Sequence, residues 1–395
     1  MRDLTTLPKA HLHVHLESAV RWPTLTEIAA AHGLDVPTPN PPAQPAQQAQ
    51  GAQHARGVRE TREAQGARGA KGAQDVQGAQ DVQGARGAQE ARGVRGAQEA
   101  GLGLGGFAGF FALNTLVRDA LRAPDDFRRI AYEYCEDEAA QGTRYAEVSF
   151  TAAAHGERLG DPDMPITAVL DGLAAGREAF GLETRLILDH SRRRPVDRAW
   201  STLRLAERYR DRVVAVGLAG DEAFPGDPFT GVFEAARDAG LHVVHHAGEA
   251  EGPASIRQAI GPGRSERIGH GIRVLDDPEL VAEVRDRGLP LEVCPSSNVV
   301  LGFAPSAAEH PFARLRDAGL AVTVNTDIPA MTGRPLAAEY ALVRDTFGDD
   351  DTACAALARV SVDASFAPSA LKARLRTEID AWLTTPAPAE TGRPA

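Results

Sequence analysis

The sequence predicts a (β/α)8 TIM barrel with extra C-terminal helices and a low-complexity insertion after the first β/α unit. Outside that insertion, strand-like and helix-like runs alternate, as in βαβ folds with a parallel sheet. Eight such units can be traced. The polar residues able to bind metal or move protons fall where predicted strands end, and barrel active sites lie at the C-terminal ends of the strands.

Strands are expected at 11–16, 145–150, 184–189, 213–219, 242–246, 267–269, 291–294 and 321–325, each short and rich in apolar or β-branched residues. Helices are expected between them at 24–32, 125–141, 166–180, 196–209, 230–239, 254–260, 278–287 and 311–318, where apolar residues recur at helical spacing. Three more helices are expected after the last strand, at 336–345, 352–362 and 368–383. The barrel therefore divides into a first β/α unit (1–36), an insertion (37–101), the remaining units (102–384) and a disordered tail (385–395).

The insertion is a different material from the rest. It contains no Phe, Trp or Tyr, and between Leu34 and Leu102 there is no Leu, Ile or Met. From Gly51 to Glu99 it runs in triplets, and Gly72–Gln77 is copied at once in Gly78–Gln83. Collagen is excluded, because Glu60, Asp75, Asp81 and Glu90 occupy positions where a triple helix admits only Gly. A continuous helix is disfavoured, since each Gly costs about 1 kcal/mol relative to Ala. The composition points to a disordered segment without chemistry of its own. Its Arg and Lys are interrupted by Asp and Glu and have no interleaved aromatics, so it does not read as a nucleic-acid site.

The chain has 395 residues, enough for one barrel-sized domain, and a net charge of −11, which argues against nucleic acid as a partner. Its three cysteines are far apart and form no CxxC, so neither a disulfide framework nor a thiolate metal site is indicated. There is no apolar signal core at the N-terminus and no run near the roughly 20 apolar residues of a membrane span. A cytoplasmic protein with no membrane partner is expected; the oligomeric state is not readable.

Four fragments carry the chemistry: His11-Leu-His13-Val-His15-Leu-Glu17, His246-Ala-Gly-Glu249, Ile268-Gly-His270-Gly271 and Asn325-Thr-Asp327. His13 and His15 are two apart, so on a strand both leave one face, which suits two ligands to one metal. A third imidazole and a carboxylate complete a set suited to Zn2+, one per chain, which lowers the pKa of a coordinated water to near 7. His270 comes from another strand and either orients that water or acts as a base. Asp327 can ligate the metal and also hold the water. Glu249, three residues past His246, is placed to protonate a ring nitrogen if a closed site raises its pKa. His11 and His242 read as wall residues, one of His245 and His246 must point outward to the helices, and Cys294 reads as a small buried hydrophobe.

Together with Leu7-Pro-Lys-Ala10, Leu218-Ala-Gly-Asp-Glu222 and Cys294-Pro-Ser-Ser-Asn298, these fragments resemble the adenosine deaminase family of the amidohydrolase barrels. The resemblance implies that His13, His15, His246 and Asp327 bind zinc, that Glu249 protonates purine N1, and that His270 positions the attacking hydroxide at C6. It makes Glu17 a ribose contact, the Gly220 backbone the N3 contact, and Phe107, Phe110 and Phe111 part of an apolar lid. The implied activity is deamination of adenosine or 2′-deoxyadenosine in purine salvage.

Three positions depart from the family pattern. Ile328 replaces an acid that contacts purine N7, Ser18 replaces a Gly beside the ribose, and Ser149 replaces an Arg at the end of the second strand. An isoleucine cannot make a polar contact, and a lost buried hydrogen bond costs about 1–3 kcal/mol. The pocket is thus expected to tolerate rings without an N7 acceptor, and a modified adenine nucleoside is the alternative substrate. A non-catalytic nucleoside- or metal-binding homologue is the reading from another class; intact Glu249 and His270 speak against it. A cytidine-deaminase site is excluded, because no PCxxC accompanies His15-Leu-Glu17.

Overall fold

The computed structural model describes residues 1–36 and 106–385. The insertion and the tail beyond Thr385 lie outside the described residues. Eight strands, all parallel, follow one another around the sheet in chain order: β1 (Lys9–His11), β2 (Thr143–Phe150), β3 (Glu183–Ser191), β4 (Val213–Ala219), β5 (His242–Ala247), β6 (Arg267–His270), β7 (Leu291–Val293) and β8 (Val322–Val324). With helices between them, this is the expected (β/α)8 barrel.

The last pairing, β8 to β1, does not use a regular ladder. The side-chain Oδ1 of Asn325 accepts from the backbone N–H groups of Leu12 (2.9 Å) and His13 (3.1 Å). Just above, Asp327 N donates to His13 O (2.9 Å) and His15 N donates to Asp327 O (3.0 Å). Val14 and Asp327 form an isolated parallel bridge, as do His15 and Ser149. The first strand therefore ends at His11 rather than Leu16: an amide side chain takes over where the two backbones separate. The chain stays extended through His15 before a 3-10 turn at Leu16–Ala19.

The strands are buried on both faces, as expected for a parallel sheet covered by helices. Several helices start with Pro in the first turn, where its missing N–H has no intrahelical role, as at Pro124, Pro253 and Pro278. Helix Val196–Arg208 shows the packing rule: Ala199, Leu203 and Ala206 are buried against the sheet, while Arg204 and Arg208 stay outside. Among the described residues, four helices fall outside the expected ranges: Gly106–Ala120, and the shorter Ala152–Leu159 after β2, Pro295–Val300 after β7 and Pro329–Thr332 after β8. Helix Asp351–Ala364 packs over β8 and β1 and covers the seam. The final helix, Ser369–Thr384, ties back to the N-terminus through Trp382 Nε1, which donates to Thr6 Oγ1 (2.9 Å). Among the described residues no helix is long and apolar enough to cross a membrane.

The sheet carries a fully buried charged trio. Arg267 on β6 pairs with Glu147 on β2 (2.6 Å) and Glu292 on β7 (2.5 Å), all three fully buried, and lies 3.9 Å over the Phe366 ring. One cation between two carboxylates offsets part of the desolvation cost of this trio.

Replacing Asn325 by Ala removes the acceptor of two buried backbone donors. The expected loss is on the order of 2–4 kcal/mol in urea unfolding with the m-value unchanged. A loss under about 0.5 kcal/mol would mean that water closes the seam equally well.

Candidate active site

Because the chain beyond β1 is extended, His13 and His15 project to one side, their ring centroids 5.6 Å apart. His246, near the end of β5, brings its ring to 4.5 Å from that of His13 and 5.1 Å from that of His15. Asp327, just past β8, completes the group: one donor atom from each of the four lies within 4.8 Å of the others. Residues more than 300 positions apart in the chain thus meet on one end of the barrel.

The donors fit a divalent metal. His13 Nε2 is buried without a hydrogen-bond partner and sits 3.5 Å from Asp327 Oδ1. His15 Nε2 and His246 Nε2 approach to 3.1 Å. Burial, aided by the charges of His13 and His15, holds His246 well below the usual imidazole range, so it offers a neutral lone pair. Burial opposes charge on His13, but the Asp327 and Glu292 carboxylates on either side outweigh it and push the ring up to about 10. Two carboxylates flanking one imidazole make this a point where a bound cation is favoured. Three nitrogens and one carboxylate oxygen make a set suited to Zn2+.

A second group overlaps the first: Glu249, His270 and Asp327. Asn298 Nδ2 donates to Glu249 Oε1 (2.8 Å) and lies 3.2 Å from His270 Nδ1. Burial, with Asp327 and Glu222 nearby, raises the Glu249 carboxyl well above its ordinary range. Burial also opposes ionisation of Asp327, yet its hydrogen bond to His13 and the surrounding imidazoles hold it well below. The two carboxyls divide the roles: Glu249 keeps a proton and Asp327 does not. Burial lowers His270 to about 3, leaving it neutral at pH 7.

Backbone geometry is strained where these side chains are presented. Among the described residues only three non-glycine residues have positive φ, and two of them are His270 (64°) and Asp327 (58°). Left-handed backbone costs an L-residue about 1–2 kcal/mol, so packing must hold both in place. Gly269 explains itself by close approach: a Cβ there would stand 2.9 Å from His13 Cε1. Gly220, at the end of β4, needs its own freedom, with φ of 93°.

The remaining expected residues fall as follows. Glu17, Gly220, Phe110 and Phe111 line a cavity of about 790 Å3 that also opens onto His15, His246, Glu249, His270 and Asp327. Phe107 lies in helix Gly106–Ala120, but its side chain is outside the described residues. Ile328 is not brought to this cavity: it is fully buried in the apolar cluster under the helices, because the turn that aims Asp327 inward sends the next side chain the other way. Ser18 lines the cavity, and its Oγ donates to Asn114 Oδ1 (3.3 Å). His11 is a wall residue, 3.0 Å from Glu138, and His242 stacks on Phe366. His245 points outward onto Phe233. Cys294 is buried, and burial pushes its thiol well up.

Sequence reasoning missed the supporting shell. Glu292 Oε2 holds His13 Nδ1 at 2.8 Å, and Asp189 lies 3.3 Å from His15 Nδ1. Ser297 Oγ donates to Asp327 Oδ2 (2.5 Å). Glu222 accepts from the backbone N–H groups of Gly248 and Glu249, both at 2.9 Å, and so fixes the turn that carries Glu249. Glu222, Ser297 and Asn298 stand inside the motif runs, which was a signal. Glu292 and Asp189 were marked only as carboxylates in otherwise apolar strands.

A parallel barrel with these donors at its open end is that of a metal-dependent hydrolase of the amidohydrolase type. The family model described as adenosine deaminase matches residues 99–382. Aminodeoxyfutalosine deaminase of Streptomyces coelicolor is 38% identical over 287 residues, covering 71% of this chain and 74% of that protein. The crystal structure of adenine deaminase from Arthrobacter aurescens superposes with a TM-score of 0.75 at 26% identity, covering 95% of this chain and 99% of that one. An amidohydrolase from Burkholderia ambifaria, with bound Zn, gives a TM-score of 0.73 at 25% identity, covering 96% and 91%. The chain belongs to the adenosine deaminase family and is a hydrolytic deaminase of adenine- or adenosine-like compounds.

Replacing Glu292 by Gln removes the charge behind His13. Zn2+ affinity is expected to fall about 10–100-fold, read by competition with a chromophoric chelator, since the partners that orient a ligand contribute that much. Unchanged affinity would show that His13 needs no such support.

Proposed function

We propose that the enzyme deaminates a 6-aminopurine nucleoside, using one Zn2+ held by His13, His15, His246 and Asp327. The carrying observation is the convergence of His13, His15, His246 and Asp327 into one donor group, with Glu249 and His270 grouped beside Asp327. The metal, when bound, supplies Lewis acidity and a lowered pKa for water. Glu249 donates its proton to the ring nitrogen next to C6, which makes C6 electrophilic. His270 and Asp327 are both proton acceptors, grouped with Glu249 where water must add. As the C–O bond forms at C6, a water O–H bond breaks and its proton passes through His270 or Asp327 to the amino group; the C–N bond then breaks, ammonia leaves, and the C6 hydroxyl proton returns to Glu249 as the carbonyl forms. Asn298 holds Glu249 and His270 in register with each other.

The cavity favours a nucleoside over a free base. At about 790 Å3 it extends from the donor cluster past Glu17 to Asn114, well beyond the space of one purine. Adenine is the second reading, because the Arthrobacter aurescens neighbour is an adenine deaminase.

Ammonia release by the zinc-loaded protein across adenosine, 2′-deoxyadenosine, adenine and 7-deazaadenosine tests this. Nucleosides are expected to be turned over faster than adenine, and 7-deazaadenosine to be accepted, since position 328 offers no group to N7. Turnover of adenine alone would make the second reading correct; rejection of 7-deazaadenosine alone would show another group reading N7. Glu249→Gln is expected to lower kcat about 10²–10⁴-fold with zinc content unchanged.

A further inference from the structure

Asn298 touches both Glu249 and His270, so the orientation of its amide matters to the chemistry. The carbonyl end only accepts hydrogen bonds and the NH2 end only donates them. His310 decides between the two orientations. It is buried in the loop between helix Pro295–Val300 and helix Phe312–Asp317, and it touches neither Glu249 nor His270. Its Nδ1 accepts from the backbone N–H of Phe312 (3.1 Å), and its Nε2 lies 3.1 Å from Asn298 Oδ1. The loop is wrapped on the residue it orients: Asn298 O accepts from Phe303 N (2.7 Å) and Ala304 N (2.9 Å).

The direction of each bond follows from the first. A peptide N–H can only give its hydrogen, so Nδ1 of His310 carries no proton. A neutral imidazole has one, which then sits on Nε2 and is donated to Asn298 Oδ1. Burial, with the charge of Arg314 nearby, lowers His310 to about 4, which keeps the ring neutral at pH 7. Turning the Asn298 amide over would set its NH2 against Nε2 while Phe312 N still donates to Nδ1. Accepting both would need an imidazole with no proton at all. The NH2 of Asn298 therefore faces the site, with one hydrogen for Glu249 Oε1 (2.8 Å) and the other for His270 Nδ1 (3.2 Å). Both acceptors are thereby committed. Oε1 is the carbonyl oxygen of Glu249 and Oε2 carries its proton. Neutral His270 carries its proton on Nε2, which leaves Asp327 the free acceptor of the two named above.

We propose that His310 is a positioning residue for the deamination: by orienting the Asn298 amide, it sets which atom of Glu249 and which atom of His270 carries the proton. This rests on the deaminase reading above. The relay starts at a backbone N–H outside the site and ends on two groups inside it, and each link has only one direction in which a hydrogen bond can run.

Kinetics of the zinc-loaded enzyme on the fastest of the four compounds above test it. His310→Leu is expected to lower kcat on the order of 10–100-fold, the scale of a small misplacement of reacting groups, with KM and zinc content little changed. His310→Gln is expected to recover most of that loss, because a primary amide offers one donor and one acceptor as the neutral ring does. Combined with Asn298→Ala, which already cuts the relay, His310→Leu should cost almost nothing further. An unchanged kcat in His310→Leu, an additive loss in the double variant, or no recovery by Gln makes His310 a packing residue and overturns the proposal. The protonated nitrogens are also read directly from 15N spectra of the histidine-labelled, zinc-loaded enzyme, with His310→Gln and His270→Gln assigning the two signals. Nε2–H on both rings supports the relay, and Nδ1–H on either overturns it. If no compound releases ammonia, the deaminase reading falls; the spectrum of the unaltered enzyme then decides the relay by itself, as it does if His310→Leu fails to fold.

Discussion

The seam between the first and last strands is the constraint on which the rest depends. Asp327 N donates to the His13 carbonyl and the His15 N–H donates back to the Asp327 carbonyl, while Asn325 holds Leu12 and His13 from below. These few bonds close the barrel. They also set His13, His15 and Asp327 side by side, so the closure of the fold and the assembly of three of the four proposed metal donors are one event. That is why the site can tolerate Asp327 in left-handed backbone: both its neighbours in the ladder are already fixed.

Electrostatics then gives each group its state. Glu147, Arg267, Glu292, His13 and Asp327 are in unbroken contact, the last two in the donor group at the strand ends. Each buried charge has a partner of the other sign, which is what makes burial tolerable. Burial first, and then the carboxylates of Asp327 and Glu222, raise Glu249, so that it favours its protonated form where Asp327 does not. Two acids a short distance apart thereby become one donor and one acceptor, a separation of roles set by surroundings rather than by residue type.

The barrel was legible because its signals are local. Alternating apolar runs gave β4 at both ends and most helices within two residues, and proline marked several helix starts. Local signals fail for short elements. Ala152–Leu159 spans 8 residues and Pro295–Val300 spans 6, too few for a helical period to stand out, yet the second carries Ser297 and Asn298. The first strand was placed too far along because its ladder is replaced by a side chain, which no strand pattern encodes.

The sequence by itself determined the alternation of elements, the parity that puts His13 and His15 on one side, and the four motif fragments at strand ends, since each depends on residues within a few positions of one another. Tertiary structure alone decided that Ile328 turns away from the cavity and that Glu292 stands behind His13 across 279 positions. Those facts depend on how distant segments approach in space. Contact between them is set by the closure and packing of the whole barrel, and no local pattern carries it.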